Sequence, residues 1–442
     1  MRFCWPCHRS RVEGAGGGRA WAELEEAALT WLYSLADQER GVGWNPRASP
    51  DGQWKLGRTR ALLDLAGAPD RQLKIALVAG TKGKGSTCAM LASILGAAGV
   101  RCGLYTKPHL QSYRERIRAD GRAITPSDFA QAVDRMRRLV RELPPEAGEP
   151  TTFEVTTAMA LDVFARQACD VAVVEVGLGG RLDATNATDP LVSVITSISY
   201  DHTAILGRTL GAIAGEKAGI LRTGRTAFVA EQRTTVRRAL DRACREVGAV
   251  CEVVPPLASE LALAGAHQRQ NAALAVAAAS AFTSVDEAAI QHGLARLRWP
   301  GRFEVVQTQQ PTVVLDGAHN GASAEALAAT LSAYAAGRPI GLVIGINRDK
   351  DARAVLRPLL ELAHCVWATQ AATNPRALSA IELARVCRRL GASAQPEPDL
   401  NQALQAATRN TPRHGVVCVT GSLMLVGQAR TSLCLPVPEQ LW

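Results

Sequence analysis

The stretch Val78–Thr87 reads VAGTKGKGST and joins an apolar run to an Ala- and Leu-rich segment. Its glycines allow a tight turn in which several backbone N–H groups face one anion, and a helix that starts there adds its positive end. Lys84 can reach the terminal phosphates of a nucleotide, and the hydroxyl of Ser86 or Thr87 can bind magnesium. A glycine between the lysine and the hydroxyl residue departs from the common P-loop spacing. The predicted ATP-binding residues of this loop are Gly80, Thr81, Gly83, Lys84, Gly85, Ser86 and Thr87.

Short apolar runs alternate with amphipathic segments on both sides of this loop, which predicts parallel strands joined by helices. The predicted strands of a first set are Ile75–Ala79, Val100–Tyr105, Asp170–Val176, Leu191–Ser197 and Thr226–Ala230. Those of a second set are Thr312–Leu315, Ile340–Ile344, Cys365–Ala368 and Val416–Val419. Helices are predicted between them, for example over Ser86–Ala98, Glu154–Ala168 and Ala322–Ala336.

The Pro- and Gly-containing string Arg298–Arg302 interrupts this alternation and is interpreted as an interdomain hinge. The predicted fold class is therefore α/β, with a P-loop domain built on a parallel sheet and a C-terminal Rossmann-like domain. The predicted boundaries are a disordered Gly-rich tail over 1–18, an ATP-binding domain over 19–297 and a C-terminal domain over 298–442.

The composition favours some binding partners and cellular compartments over others. A formal net charge of +9 favours anionic ligands, but basic residues do not interleave with aromatic ones as in nucleic-acid grooves. No apolar run is long enough for a membrane span. The eleven cysteines are mostly scattered singly, which predicts reduced thiols and a cytoplasmic protein. Cys4–His8 matches a haem-attachment string but lacks an export signal, so it is interpreted as part of the loose tail.

Polar residues follow several predicted strands. Glu175 ends one strand, Asp201 and His202 follow the next, and Lys217 lies one short helix later. Ligands of open parallel sheets gather at the carboxyl ends of the strands, and a carboxylate, a hydroxyl, an imidazole and phosphates form a suitable magnesium shell. Taken singly, Glu175 and His202 also fit the role of capping or core residues.

The C-terminal half has a similar feature. Asp316–Asn320 places an aspartate and a histidine between a strand and a helix, and Asn271 lies at the start of an Ala-rich helix. From the residues alone, helix capping explains both strings as well as ligand binding does.

Together these strings resemble the folylpolyglutamate synthase/dihydrofolate synthase family of the Mur ligase superfamily, from about Leu56 to Arg430. The matching strings are Leu56–Arg58, GTKGKGST, Pro108–Leu110, Arg114–Ile117, Phe153-Glu154, VEVGLGGRLDATN, DHTAILG, GEKAGI, Asn271, WPGRFE, DGAHN and VTGSLMLVG. Because so many motifs occur in order, the resemblance is specific.

The resemblance implies an ATP- and Mg²⁺-dependent ligase that joins L-glutamate to a folate or dihydropteroate carboxylate through an acyl-phosphate, without nucleic-acid or membrane partners and as a monomer. It implies Lys84, His202 and Lys217 as catalytic residues. The implied metal ligands are Ser86, Glu175, His202 and Lys217 as a carbamate. The implied nucleotide contacts beyond the loop are Asn271, Arg302, Asp316 and His319. The implied substrate residues are Lys107, Pro108, His109 and Arg114.

Two positions depart from the family pattern. Lys107 stands where a serine hydroxyl usually contributes to a metal site, and Lys82 stands where asparagine is common. Both changes add positive charge near the phosphates, so the metal count is less defined than the ATP site.

Three other functions remain open at this stage. A cell-wall Mur ligase usually needs a further N-terminal domain, which the residues before Leu56 are too few and irregular to form. A non-catalytic ATP-binding regulator would not need Lys84, Glu175, His202 and Lys217 together. A nucleic-acid-stimulated ATPase would need a basic groove. Whether dihydropteroate, a reduced folate or both are extended stays undecided, and bifunctionality is the expectation.

Overall fold

The computed structural model describes residues 17–37, 56–259, 261–306, 311–372 and 374–442. These residues form two compact units. The first comprises Glu25–Lys107, Arg114–Arg298 and Gln440–Trp442, and the second comprises the described residues up to Leu24, Pro108–Tyr113 and Trp299–Glu439. Each unit is therefore discontinuous along the chain. Residues 1–16 of the predicted tail, which include Cys4–His8, lie outside the described residues.

The helices of the described chain are α1 Gly17–Ser34, α2 Leu56–Leu65, α3 Lys84–Ala97, α4 Pro126–Arg141, α5 Thr152–Arg166, α6 Thr203–Leu206, α7 Leu210–Ala218, α8 Thr234–Val247, α9 His267–Ser280, α10 Glu287–Arg296, α11 Gly321–Ala335, α12 Ala352–Leu360, α13 Ala380–Arg389, α14 Leu400–Asn410 and α15 Leu423–Ser432. The strands are β1 Lys74–Ala79, β2 Cys102–Tyr105, β3 Ile117–Ala119, β4 Arg122–Ala123, β5 Val171–Glu175, β6 Val192–Ile195, β7 Thr226–Ala230, β8 Val250–Val254, β9 Glu304–Val306, β10 Thr312–Leu315, β11 Ile340–Ile344, β12 Ala363–Ala368, β13 Ala394–Pro396 and β14 Val416–Thr420.

The sheet of the first unit has the order β4-β3-β2-β5-β1-β6-β7-β8. Its strands are parallel except for the antiparallel pairs that β3 makes with β2 and β4. β1 lies between β5 and β6, with Val78 opposite Glu175 and Ala79 opposite Ile195. The phosphate loop therefore leaves the sheet beside Glu175.

The sheet of the second unit has the order β13-β12-β11-β14-β10-β9. β9 pairs antiparallel with β10, and the other neighbours are parallel. Its parallel strands are continuous apolar runs because helices cover both faces, and Val343, Leu315 and Val419 are fully buried in its core. The α/β class predicted from the sequence is confirmed.

The start of α5 is fixed by a buried network that supports the site. Thr151 and Glu154 form a capping box at its first turn. Glu154 also pairs with Arg58 at 2.8 Å, and both side chains are more than 90% buried. A buried ion pair is tolerated only when its hydrogen bonds are satisfied, and here Arg58 Nε donates to both Glu154 oxygens. Phe153 is thereby held in a defined position beside Tyr105.

The helices and the cysteines bear on two of the sequence expectations. No helix of the described residues is long and apolar enough to cross a membrane. Eight described cysteines are free thiols: Cys88, Cys102, Cys169, Cys244, Cys251, Cys365, Cys387 and Cys418. Cys434 departs from the reduced state that we expected, because it is disulfide-bonded.

Candidate active site

Two glycines, which have no side chain, allow the close packing of the phosphate loop. A Cβ on Gly80 would lie 1.8 Å from Thr196 Oγ1, and a Cβ on Gly83 would lie 2.3 Å from Asn271 Oδ1. Gly83 also has a φ of 87°, in the left-handed region that favours glycine, and it directly precedes α3. The loop therefore requires glycine at both positions, and Asn271 lies against it.

The segment after β6 holds this loop in place. Thr196 Oγ1 donates to Lys82 O at 2.8 Å, and the Thr81 N–H donates to Ser197 O at 3.0 Å. Thr81 Oγ1 donates to Ser199 O and accepts from the Ser199 N–H. The sequence analysis assigned no role to Thr196, because a threonine at a strand end gives no distinguishing signal.

Two lysines converge on one carbonyl of the loop. Lys217 Nζ donates to Gly80 O at 2.8 Å, and Lys84 Nζ donates to the same oxygen at 3.3 Å. Burial, and then the charge of Lys84, lower the pKa of Lys217 to about 7. Burial is also the main reason that the pKa of Lys84 is lowered, although Glu175 opposes the change. An anion bound here would favour the charged form of Lys84. The lowered pKa of Lys217 makes its neutral amine accessible near neutral pH.

Acidic groups and Lys107 surround these lysines. Glu175 Oε2 accepts the N–H of Lys107 at 3.1 Å, and the Lys107 ammonium lies 5.6 Å from the centre of the Phe153 ring. Besides burial and Glu175, the charges of Lys107 and Asp201 also act on the pKa of Lys84. The structure therefore brings Lys84, Lys107, Glu175, Asp201 and Lys217 together at one edge of the first sheet.

His202 follows Asp201 in a left-handed conformation with a φ of 48° and precedes α6. Its side chain is 34% exposed, and Nε2 lies 3.8 Å from Asp201 Oδ1. A left-handed conformation is uncommon for residues other than glycine, and the His202 side chain makes no capping hydrogen bond to α6.

The loop after β5 is organised by Asp183. Its carboxylate accepts the N–H of Leu178 at 2.8 Å and the hydroxyl of Thr185 at 2.6 Å. Burial raises the pKa of Asp183 against these hydrogen bonds. Gly180 lies so close to α7 that a Cβ would be 2.8 Å from Lys217 O. The loop of Glu175 is thus packed onto the helix of Lys217.

These residues fit a nucleotide and its metal ion. Thr87 Oγ1 is buried without a hydrogen-bond partner within the described chain, and Ser86 beside it is buried at the start of α3. The described residues contain no group of three or more His, Cys, Asp or Glu side chains placed to hold a metal. A divalent ion here would therefore depend partly on hydroxyl, phosphate or carbamate oxygens, which suit Mg²⁺.

In the second unit, Arg302, Asp316 and His319 come together. Asp316 accepts the N–H of Phe303 and that of Ala318, both at 2.8 Å. Burial raises the pKa of Asp316, and Arg302 opposes this. His319 Nδ1 lies 2.9 Å from Gly317 O, and because a carbonyl only accepts, the proton is on Nδ1. Asn320 caps α11, as the alternative interpretation of this string proposed.

The predicted substrate residues divide between the units. Lys107 and Arg114 belong to the first, whereas Pro108 and His109 belong to the second. Arg114 donates to Glu25 at 3.1 Å and to Ile124 O at 2.8 Å. The His109 ring lies 5.2 Å from that of Tyr113. The Arg114 side chain is thus hydrogen-bonded within the protein. Its sequence motif did not indicate this structural role.

The chain matches the Mur ligase middle domain over residues 78–250 and the Mur ligase glutamate ligase domain over residues 301–423. It is 34% identical to the dihydrofolate synthase/folylpolyglutamate synthase of Bacillus subtilis, over 86% of this chain and 94% of that protein. It is 38% identical to a probable bifunctional folylpolyglutamate synthase/dihydropteroate synthase of Halobacterium salinarum over 80% of this chain, but it spans only 46% of that protein.

The structure of Mycobacterium tuberculosis folylpolyglutamate synthase complexed with ADP superposes with a TM-score of 0.85, at 32% identity, covering 93% of this chain and 99% of that one. The fold and the two matched domains define the chain as a Mur-type ligase. It belongs to the folylpolyglutamate synthase/dihydrofolate synthase family, whose members are ATP-dependent ligases that form carbon–nitrogen bonds.

Proposed function

We propose that this chain uses MgATP to join L-glutamate to the carboxylate of a folate-type compound, hereafter the acceptor. Dihydropteroate and reduced folates are both acceptors in this proposal. The observation that carries it is the convergence of Lys84 and Lys217 on Gly80 O, beside Glu175 and under the start of α3. That arrangement places the Lys84 ammonium at a glycine loop shaped for phosphates, with the Lys217 amine beside it for carbamylation.

The chemistry follows from these charges. An acceptor carboxylate oxygen attacks the γ-phosphorus of ATP, and the bond between the γ-phosphorus and the oxygen that bridges to the β-phosphate breaks. The products of this step are an acyl-phosphate and ADP. Lys84 and the N–H groups of the loop stabilise the charge that gathers on the transferring phosphoryl group. The glutamate amine, after losing a proton, attacks the activated carbonyl, and phosphate leaves. Bound Mg²⁺ would neutralise phosphate charge and orient the oxygens.

The residue roles are part of the proposal. Ser86, Glu175, His202 and a carbamylated Lys217 hold the metal, and Asn271, Arg302, Asp316 and His319 contact the nucleotide. Lys107, Pro108, His109 and Arg114 serve the acceptor. Support comes from the buried, unpartnered Thr87 hydroxyl in the described loop and from the proximity of Arg302, Asp316 and His319 at the start of α11. We also propose that the protein acts in the cytoplasm and as a monomer; the eight free thiols agree with a cytoplasmic protein, whereas the disulfide at Cys434 does not.

The direct test is release of ADP from MgATP. We expect turnover only when dihydropteroate or a reduced folate and L-glutamate are both present, because the acyl-phosphate forms on one and is consumed by the other. Measuring ADP with each pterin, with and without glutamate, also separates the two acceptor classes. Background ADP release with every pterin would refute the proposal, and turnover with a UDP-linked muramoyl substrate would favour a cell-wall ligase.

Lys107→Ser tests whether the extra cation contributes to nucleotide binding. The Lys107 charge reaches Lys84 and Asp183, so its removal is expected to raise the ATP KM by about 3- to 10-fold, the effect of roughly 1 kcal/mol of lost attraction. The Mg²⁺ dependence is also expected to shift, because serine restores a neutral oxygen ligand.

Titration of ATP and Mg²⁺ in steady-state assays of both proteins gives these values. The exposed Lys74, at the start of β1, provides the control substitution Lys74→Ser. Identical ATP and Mg²⁺ dependence in Lys107→Ser and the parent protein would leave Lys107 without a role in the site.

A further inference from the structure

The segment Pro108–Tyr113 is carried by the second unit, although residues on either side of it belong to the first. Its flanks are tied down separately. The Lys107 N–H is bound to Glu175, and the Arg114 side chain is bound to Glu25. The contacts that fix the middle of the segment are therefore made by the second unit.

Close backbone packing is one part of the answer. A Cβ on Gly427, in α15, would lie 1.9 Å from Leu110 O, and a Cβ on Gly301 would lie 3.2 Å from a Leu110 methyl group. Leu110 also packs against the apolar core of the second unit. Glycine at 427 is thus required for the segment to reach α15 at all.

A buried arginine is the other part. Arg430 in α15 is 3% exposed, and its Nε donates to Gln111 Oε1 at 2.9 Å. Its other nitrogens bind Glu304 and the carbonyl of Pro436, the latter at 2.7 Å. Because a buried charge requires partners on every side, Arg430 fixes the position of Gln111 tightly.

Gln111 completes the attachment with its other end. Its Nε2 donates to Leu435 O at 3.1 Å and lies 3.4 Å from Thr431 Oγ1. Glu304, which pairs with Arg430, also accepts the N–H of Gly301 at 2.9 Å. The same network thus reaches from Gln111 to the turn that precedes Arg302.

We infer that Arg430 and Gln111 are positioning residues for the acceptor: through them, the second unit sets where Pro108 and His109 stand. Arg430 has its donors engaged by the protein, so it acts through the segment and does not need to touch the substrate. The inference rests on the proposed function for its kinetic consequence, whereas the attachment of the segment does not depend on that function.

Gln111→Met removes the acceptor for Arg430 while keeping the side-chain length. A hydrogen bond to a charged group contributes enough that we expect the KM for dihydropteroate to rise by about 10-fold or more, with the ATP KM unchanged. Hydrogen exchange of the backbone amides in 109–113 is expected to accelerate. Gln111→Asn, whose amide is too short to reach Arg430, is expected to behave in the same way, and thermal unfolding of both variants detects a folding defect.

Gln370→Met is the matched control. Gln370 accepts the N–H of Ala380 at 3.0 Å in the same unit, so the control variant loses a glutamine hydrogen bond to a neutral donor, away from the segment. Equal exchange rates in 109–113 for the Gln111 variants and Gln370→Met would overturn the inference. So would an acceptor KM that rises no more than in the control. If the parent protein shows no acceptor-dependent turnover, the proposed function fails, and the exchange rates still decide whether Gln111 holds the segment.

Discussion

Lys217→Ala is expected to reduce ligation by more than about 100-fold, because losing a metal ligand exceeds the 10- to 100-fold effects of losing an outer-shell partner. The lysine is 3% exposed, and its ammonium would repel the cations that Glu175 and His202 are proposed to hold. The ammonium first loses one proton, and reaction of the neutral amine with CO₂ then gives a carbamate and releases a second proton, so the cation becomes an anion. The carbamate keeps an N–H, so the 2.8 Å hydrogen bond to Gly80 O survives.

The pKa of about 7 makes this reaction possible near neutral pH. The neutral amine is abundant above that pH and is lost as the pH falls below it, so the carbamate and the activity are both expected to decline on the acid side. A ¹³C resonance from labelled CO₂ in the parent protein, absent in Lys217→Ala, provides the measurement. Partial rescue of the variant by formate or acetate is expected. A bare amine in the active, metal-loaded enzyme would contradict the carbamate.

Lys84→Ala is expected to lower turnover by at least about 100-fold, the size of effect seen when one group that stabilises transition-state charge is removed. Its ammonium contacts only loop carbonyls, at 3.3 Å and 3.5 Å, in the described structure. Because burial disfavours this charge and Lys217 lies nearby, the melting temperature is not expected to fall.

The measurement is turnover under saturating ATP, together with thermal unfolding of the same samples. Lys74→Ala is the control, since Lys74 is exposed at the far end of β1 from the loop. Turnover in Lys84→Ala within a few-fold of the control would remove Lys84 from the mechanism. A large fall in melting temperature would show that the lysine is structural.

The central strands were predictable because their apolar runs are continuous. The predictions for Thr226–Ala230, Thr312–Leu315 and Ile340–Ile344 agree with the structure to the residue. Five strands were missed: β3, β4, β8, β9 and β13, which lie at or next to the edges of the two sheets. Ile117–Ala119 and Arg122–Ala123 contain arginines and span too few residues for an alternating pattern. Their pairing comes from tertiary context, which outweighs strand propensity.

The site followed the same rule. The sequence singled out Lys84 and Glu175 because they lie at the start of a helix and at the end of a strand, and it singled out Lys217 in the short helix that follows the next strand. Asp183 was not predicted as a site residue, although the loop in which it lies was recognised by its glycines. Its role in that loop depends on hydrogen bonds with Leu178 and Thr185. Gln111 and Arg430 lie far apart in sequence, so no local pattern indicates that they meet.

The interleaving of the chain limits how the protein can be divided. A cut between Arg298 and Trp299 would leave Pro108–Tyr113 on one fragment and its packing surface around Gly427 on the other. The same cut would separate Gln440–Trp442 from the first fragment. Leu441 donates its N–H to Gly121 O at 3.0 Å and accepts the N–H of Arg298 at 2.7 Å. Neither fragment would then be a self-sufficient module, although the two matched domains appear separate along the sequence. Domain exchange between relatives would accordingly have to transplant residues 108–113 together with the C-terminal half.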